Sequence, residues 1–158
     1  MIISLLWLLQ DILTVLFGGV MQIPELFLLG IVYRLLKDED EERVWAIWSA
    51  FLGGLLWDLR WVGIPGFFTF GYVAVVLLVL WLWSSLPLQG RTGLVAFLLL
   101  ESSQLIPPLL PVLILGGNTG GSFFLMEQIY ALPALLFCLW LYGRHTREAG
   151  GTFSLSSK

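Results

Sequence analysis

Phe67 to Trp83 reads FFTFGYVAVVLLVLWLW without a single charged residue. At about 1.5 Å per residue, a helix over 66–83 comes close to crossing the ~30 Å hydrocarbon core of a bilayer. Gly63-Ile64-Pro65-Gly66 leads into it as a turn. The rest of the chain has the same character. Of 158 residues, 58% are hydrophobic and 12% are charged, against about 25% charged in an ordinary soluble domain. The mean hydropathy is +0.91, and the chain holds 11 Phe, 8 Trp and 4 Tyr. A soluble domain of this size buries too small a share of its surface to hide so much apolar area. The composition therefore excludes a soluble enzyme and a disordered tail. A formal charge of -3 leaves no basic surface for nucleic acid. The chain reads as an integral membrane protein.

Working outward from that segment, five further apolar stretches stand as spans. Val44 to about Leu59 precedes it, after the charged run Asp38-Glu39-Asp40-Glu41-Glu42-Arg43. Thr92 to about Leu115 follows it and contains Pro107, Pro108 and Pro111, which are expected to kink or break that helix. Phe123 to Tyr142 comes last, after Gly116-Gly117-Asn118-Thr119-Gly120-Gly121. At the N-terminus, residues 2–36 as one helix would be roughly 52 Å long, so Gly18-Gly19 and Pro24 are read as a break. That leaves two short, tilted spans, Ile2 to Val20 and Ile23 to Leu36, with one span plus a re-entrant piece as the alternative. The expected fold is an all-α six-transmembrane-helix bundle, a single domain over 1–143 followed by a short irregular cytoplasmic tail over 144–158. No cleavable signal peptide is expected, because the first 22 residues lack Lys, Arg and an Ala-x-Ala site.

Orientation follows from the basic residues. With the N-terminus inside, Arg34, Lys37, Arg43, Arg91, Arg144, Arg147 and Lys158 face the cytoplasm and only Arg60 faces out. This asymmetry is the positive-inside signal. Both termini are then cytoplasmic.

The residues carry no catalytic or cofactor pattern. His145, the one histidine, sits in the basic tail. The single cysteine, Cys138, has no partner for an internal disulfide. Gly116 to Gly121 lacks the Lys-Ser/Thr of a phosphate loop. No enzyme activity, cofactor or metal is expected.

Polar residues inside the spans carry the remaining information, because each must be satisfied within the bundle. Asp11 lies mid-span beside Gln10, and an aspartate there costs about 2.5–3.5 kcal/mol on insertion scales. Ser4, Asp11, Thr14 and Gly18 fall on one helical face, read first as internal glue that exchanges hydrogen bonds with a neighbouring helix, with a docking face or a proton site as the sharper alternative. Glu101 is followed on its face by Gln104 and Pro108, and a broken helix there would line a cavity. No Lys or Arg is expected at the depth of Asp11 or Glu101. Glu25, Asp58, Arg60 and Glu127 are placed together at the outer interface, with Trp57 and Trp61 as interface anchors; Arg60 is read as a clamp that ion-pairs with these acids to tie helix ends together, with part of an external partner-binding surface, shaped first by Asp58 and Arg60, as the sharper alternative. Ala46, Ala50, Gly54 and Asp58 recur every four residues beside Ser49 and Gly53, a stripe that lets helices approach closely. Packing within the bundle is favoured over packing against another protein's helix. A homo-oligomer is compatible with the sequence.

The order of these features resembles the rod shape-determining MreD family. Pro24-Glu25 opens the second span where that family carries Pro and an acid, commonly Asp. Gly53-Gly54-Leu55-Leu56-Trp57-Asp58 matches its glycine-rich third span ending in aspartate, and Gly63-Ile64-Pro65-Gly66 its short loop into the fourth. The matching motifs cover mainly Ile23 to Tyr72; beyond that the likeness is one of hydropathy. The resemblance implies a non-enzymatic subunit of the bacterial inner membrane that works in cell-wall elongation, with the single-span scaffold MreC, the glycosyltransferase RodA and a class B penicillin-binding protein as partners alongside membrane lipids. It also implies a fold like the S component of energy-coupling-factor vitamin transporters. A small-molecule-binding S component is accordingly the alternative. Those proteins dock through Ala-x-x-x-Ala on the first span, whereas this chain has no alanine before Ala46. A proton-coupled transporter would rest on Asp11 and Glu101 alone.

Overall fold

The computed structural model describes residues 2–18, 23–37, 42–63, 65–115 and 121–153. These form six α-helices: α1 (Ile2–Phe17), α2 (Leu26–Leu35), α3 (Glu42–Trp57), α4 (Phe67–Ser85), α5 (Gly93–Leu115) and α6 (Gly121–Phe153). A π-helical turn, Asp58–Val62, prolongs α3, and a short 3-10 turn, Leu88–Gly90, joins α4 to α5. Segments of α4, α5 and α6 are long and apolar enough to cross a membrane, compatible with a multi-pass membrane protein. α1 and α2 are shorter apolar helices.

Residues 2–36 do separate into two helices, as Gly18 and Pro24 suggest. α2 is shorter still than the short span expected over Ile23 to Leu36. Its 10 residues reach only about 15 Å, half the depth of a bilayer core. Its surroundings explain why such a stub is stable: α1, α3, α4, α5 and α6 all pack against it. Phe27, Leu28, Leu29, Ile31, Val32 and Leu35 are buried, as expected for a helix apolar on nearly every side. α2 is the peg around which the other helices are arranged.

The most extensive helix pair is α3 with α4. Ala46, Ala50, Gly54 and Asp58 all face inward along this seam. A Cβ on Gly54 would lie 2.6 Å from the Thr69 Cα and 2.8 Å from its N, so backbone meets backbone at that point. The small-residue stripe thus serves packing within the bundle.

Two local expectations are corrected. α5 runs unbroken through Pro107, Pro108 and Pro111 to Leu115. Pro108 cannot donate to the Gln104 carbonyl one turn back, but the Gln128 side chain of α6 donates to that carbonyl from 3.3 Å. A neighbouring side chain thus replaces the bond that proline removes. α6 extends to Phe153, where an irregular tail after Gly143 was expected. At roughly 1.5 Å per residue, its 33 residues outlast any hydrocarbon core and project beyond it. Residues 38–41 of the charged run and 116–120 of the glycine-rich turn lie outside the described residues.

The α3–α4 seam makes a direct prediction. Gly54→Val should destabilise the folded protein by about 1–3 kcal/mol, because the clash is with backbone that cannot rotate away. Leu56→Ala, on the exposed face of the same helix, should change the melting temperature little. Equal melting of the two variants in detergent would remove the seam from the account.

Candidate functional site

The polar side chains of the apolar helices gather into two adjoining clusters, both assembled around helix starts. The first surrounds the beginning of α2. In a dry interior the free N–H groups of a helix's first turn need protein partners. Here amide side chains supply them. Gln10 of α1 accepts from the Phe27 N–H at 2.9 Å. Gln104 of α5 accepts from the Glu25 N–H at 3.0 Å and returns a bond from its Nε2 to the Glu25 carbonyl at 3.2 Å. The Glu25 carboxylate then accepts from Gln10 Nε2 at 2.7 Å and from the Tyr72 hydroxyl of α4. Ser103 Oγ accepts a further bond from Gln104 at 3.1 Å. Four helices are fastened at one point.

Glu127 of α6, at 2% exposure, precedes Gln128, whose side chain reaches the Gln104 carbonyl of this cluster. Its Oε2 has no hydrogen-bond partner among the described residues, and the same holds for Gln128 Oε1 and Glu101 Oε2. Glu101 is half-buried, while Gln104 on its face is enclosed.

The second cluster centres on Asp58, which is fully buried. Its carboxylate caps α4. Oδ1 accepts from the Phe68 N–H at 2.7 Å. Oδ2 accepts from the N–H groups of Gly66 and Thr69 at 2.9 and 3.0 Å and from the Thr69 hydroxyl at 2.8 Å. An acid at a helix N-terminus also meets the positive end of the helix dipole. The turn closes through Gly63, whose φ of +70° suits glycine and whose N–H donates to the Asp58 carbonyl at 2.7 Å.

The expected outer clamp is therefore corrected. Arg60 does not bridge Glu25, Asp58 and Glu127; those acids are occupied or enclosed inside the bundle. Its Nε pairs instead with Asp11 Oδ1 of α1 at 2.6 Å. Trp61 Nε1 donates to the same oxygen at 3.0 Å, and the Arg60 guanidinium lies 5.7 Å from the Trp61 ring centroid. Asp11 thus has the cation it was expected to lack. The π-helical turn brings Arg60 back over α1 while leaving its side chain 51% exposed. Trp57 is buried, with Trp7 edge-on at 6.4 Å and Trp61 at 6.0 Å; it packs the core rather than anchoring an interface.

The inward stripe of α1 also differs from the expected one. Ile3, Gln10 and Asp11 are buried and Trp7 and Thr14 partly so, while Ser4 and Gly18 are exposed. Gln10, Thr69, Tyr72, Ser103 and Gln128 are the participants that sequence reading passed over. Gln10 had the clearest signal, a second strongly polar residue adjoining Asp11 in an apolar span. Among the described residues, no three His, Cys, Asp or Glu side chains form a group that could hold a metal ion.

The two clusters respond differently to substitution. Asp58→Ala removes the α4 cap and leaves buried N–H groups unmatched, so Tm should fall by roughly 5–10 °C. Asp11→Asn and Arg60→Gln should be non-additive, with a coupling of about 0.5–3 kcal/mol in a double-mutant cycle. Additive losses would show that the pair fixes nothing.

No family model, curated protein or solved structure matches this chain.

Proposed function

We propose that this protein is a non-enzymatic scaffold subunit of the bacterial cell-wall elongation machinery, of the MreD type. In this reading all six helices form one bundle in the inner membrane with both termini cytoplasmic. The protein retains MreC, and through it RodA and a class B penicillin-binding protein. The resemblance over Ile23 to Tyr72 supplies the family. The observation that carries the scaffold role is the pinned turn after α3. Asp58 fixes its base to α4, and Asp11 fixes Arg60 and Trp61 to α1. Leu59, Arg60, Trp61 and Phe70 are left exposed around it. A cation and aromatic groups held in fixed positions bind a partner with little loss of side-chain freedom. The orientation set by the basic residues turns this platform outward, toward the periplasmic part of a single-span scaffold.

The enclosed acceptors at Glu127 and Gln128 favour a second reading, a solute-binding S component whose ligand would bring hydrogen-bond donors to that place. The two readings separate by what the protein retains. Purified gently from native membranes, the wild-type chain should bring down a coiled-coil single-span protein and cell-wall synthases. Arg60→Glu sets a second anion against Asp11 and should lower that recovery several-fold while the protein stays folded. Recovery of ATPase subunits with a shared membrane coupler would establish the S-component reading instead. Undiminished partner recovery in a folded Arg60→Glu variant would remove the platform from the proposal.

A further inference from the structure

Asp11, Glu25, Asp58 and Glu127 are the buried acids among the described residues. For three of them the structure shows what offsets the charge. Asp58 receives four hydrogen bonds at the start of α4. Glu25 receives two, from Gln10 and Tyr72, and Asp11 pairs with Arg60. Glu127 differs. It lies near the start of α6 at 2% exposure, and its Oε2 is enclosed with no donor among the described residues.

The chain's cations all stand elsewhere. α5 and α2 pack against α6, and their titratable groups are Glu101 on α5, Tyr33 and Arg34 on α2, and Glu25 at the start of α2. Arg34 comes nine residues after Glu25, about 13 Å along the axis. Lys37 follows it past the same helix end, and Arg43 opens α3 at the end opposite Asp58. Arg91 comes 13 residues before Gln104, where Gln128 makes its contact, and so lies about 20 Å away. On α6 itself Tyr130 and Cys138 come first, and the first cation, Arg144, is 17 residues and about 25 Å beyond Glu127. Arg147 and Lys158 lie further along the chain. Arg60 is held by Asp11.

A carboxylate sealed from water, with neither cation nor donors, is strongly disfavoured, and such a group neutralises instead. Among the described residues no three His, Cys, Asp or Glu side chains gather to hold a metal ion, which leaves a proton as the fitting ligand. Protonation also turns one oxygen into a donor. The other enclosed oxygens without a partner on α5 and α6, Glu101 Oε2 and Gln128 Oε1, are acceptors. We infer that Glu127 is a proton-binding site, a carboxylic acid that stays uncharged in the folded protein at neutral pH. The inference is independent of the scaffold reading. It removes one acceptor from the solute-binding reading, because the proton already neutralises it.

The test is infrared difference spectroscopy of the full-length protein in phosphatidylcholine vesicles at neutral pH. Subtracting the Glu127→Gln spectrum from that of wild type should leave the carbonyl stretch of one protonated carboxyl, moved to lower frequency in heavy water. Glutamine has the shape of the neutral acid, so this variant should fold and melt as wild type does. Glu101→Gln should leave the band in place. A difference spectrum that shows an ionised carboxylate instead overturns the inference. So does loss of the same band in Glu101→Gln, which would move the proton to α5. Failure of Glu127→Gln to fold overturns it too, because a neutral isostere would then not fit where the acid does.

Discussion

The Asp58 carboxylate is the point on which the arrangement of the helices turns. Its oxygens receive three backbone N–H groups and one hydroxyl at the start of α4. In water those amides would be solvated at little cost; in an apolar environment each one left bare costs several kcal/mol. Capping them from α3 lets α4 begin inside the protein rather than beyond it. The same contact draws Gly54 against Thr69 and closes the α3–α4 seam. It also fixes the π-helical turn, and the turn delivers Arg60 and Trp61 to Asp11. Loss of this one side chain would loosen the helix seam, the turn and the ion pair together.

A different economy operates around α2. A helix of 10 residues has most of its backbone near an end, so unmatched N–H groups are a large share of its cost. The chain meets that cost chiefly with the amides of Gln10 and Gln104. A glutamine offers donors and an acceptor at once and carries no charge to desolvate. Gln104 uses both abilities on Glu25, binding its N–H and its carbonyl. Glu25 is left with its carboxylate for Gln10 and Tyr72. The peg is thereby keyed to α1, α4 and α5 by direction-specific bonds, which apolar packing alone would not provide.

How far this was legible in the sequence depends on whether a feature is set by local periodicity or by a distant partner. The stripe Ala46, Ala50, Gly54, Asp58 was readable because a period of four on a helix defines a face whatever lies opposite. The break between α1 and α2 was readable because Gly18-Gly19 and Pro24 act on their own backbone. The partner of Arg60 was not. Asp58 is only two residues away, and residues at that spacing do not face each other on a helix; what directs Arg60 to Asp11 is a π-helical turn with no local signature. The break expected at the prolines of α5 is absent for a related reason, since the group that takes up the Gln104 carbonyl freed by Pro108 lies 24 residues further on. Function is less legible still. The MreD resemblance rests on Pro, Gly and acid positions, and Asp58, the best placed of them, already has a complete structural reason to be aspartate.

That last point bears on how the surface can work. Gln10, Asp11, Glu25, Asp58, Tyr72 and Gln104 are all engaged in holding the bundle together, so they are largely withdrawn from any partner. Across the lateral surface the exposed residues include Trp48, Trp81, Phe137 and Trp140, which offer shape and dispersion but no hydrophobic gain over lipid. Selectivity for another molecule must then arise where charge and fixed geometry coincide with that apolar surface. One such place stands out, the turn carrying Arg60 and Trp61 beyond the end of α3. A substitution in the interior clusters acts first on the fold, whereas Leu59 and Phe70, exposed beside that turn, carry little of it. The spatial division lets binding and stability be altered one at a time, so a lost partner can be told apart from a lost bundle.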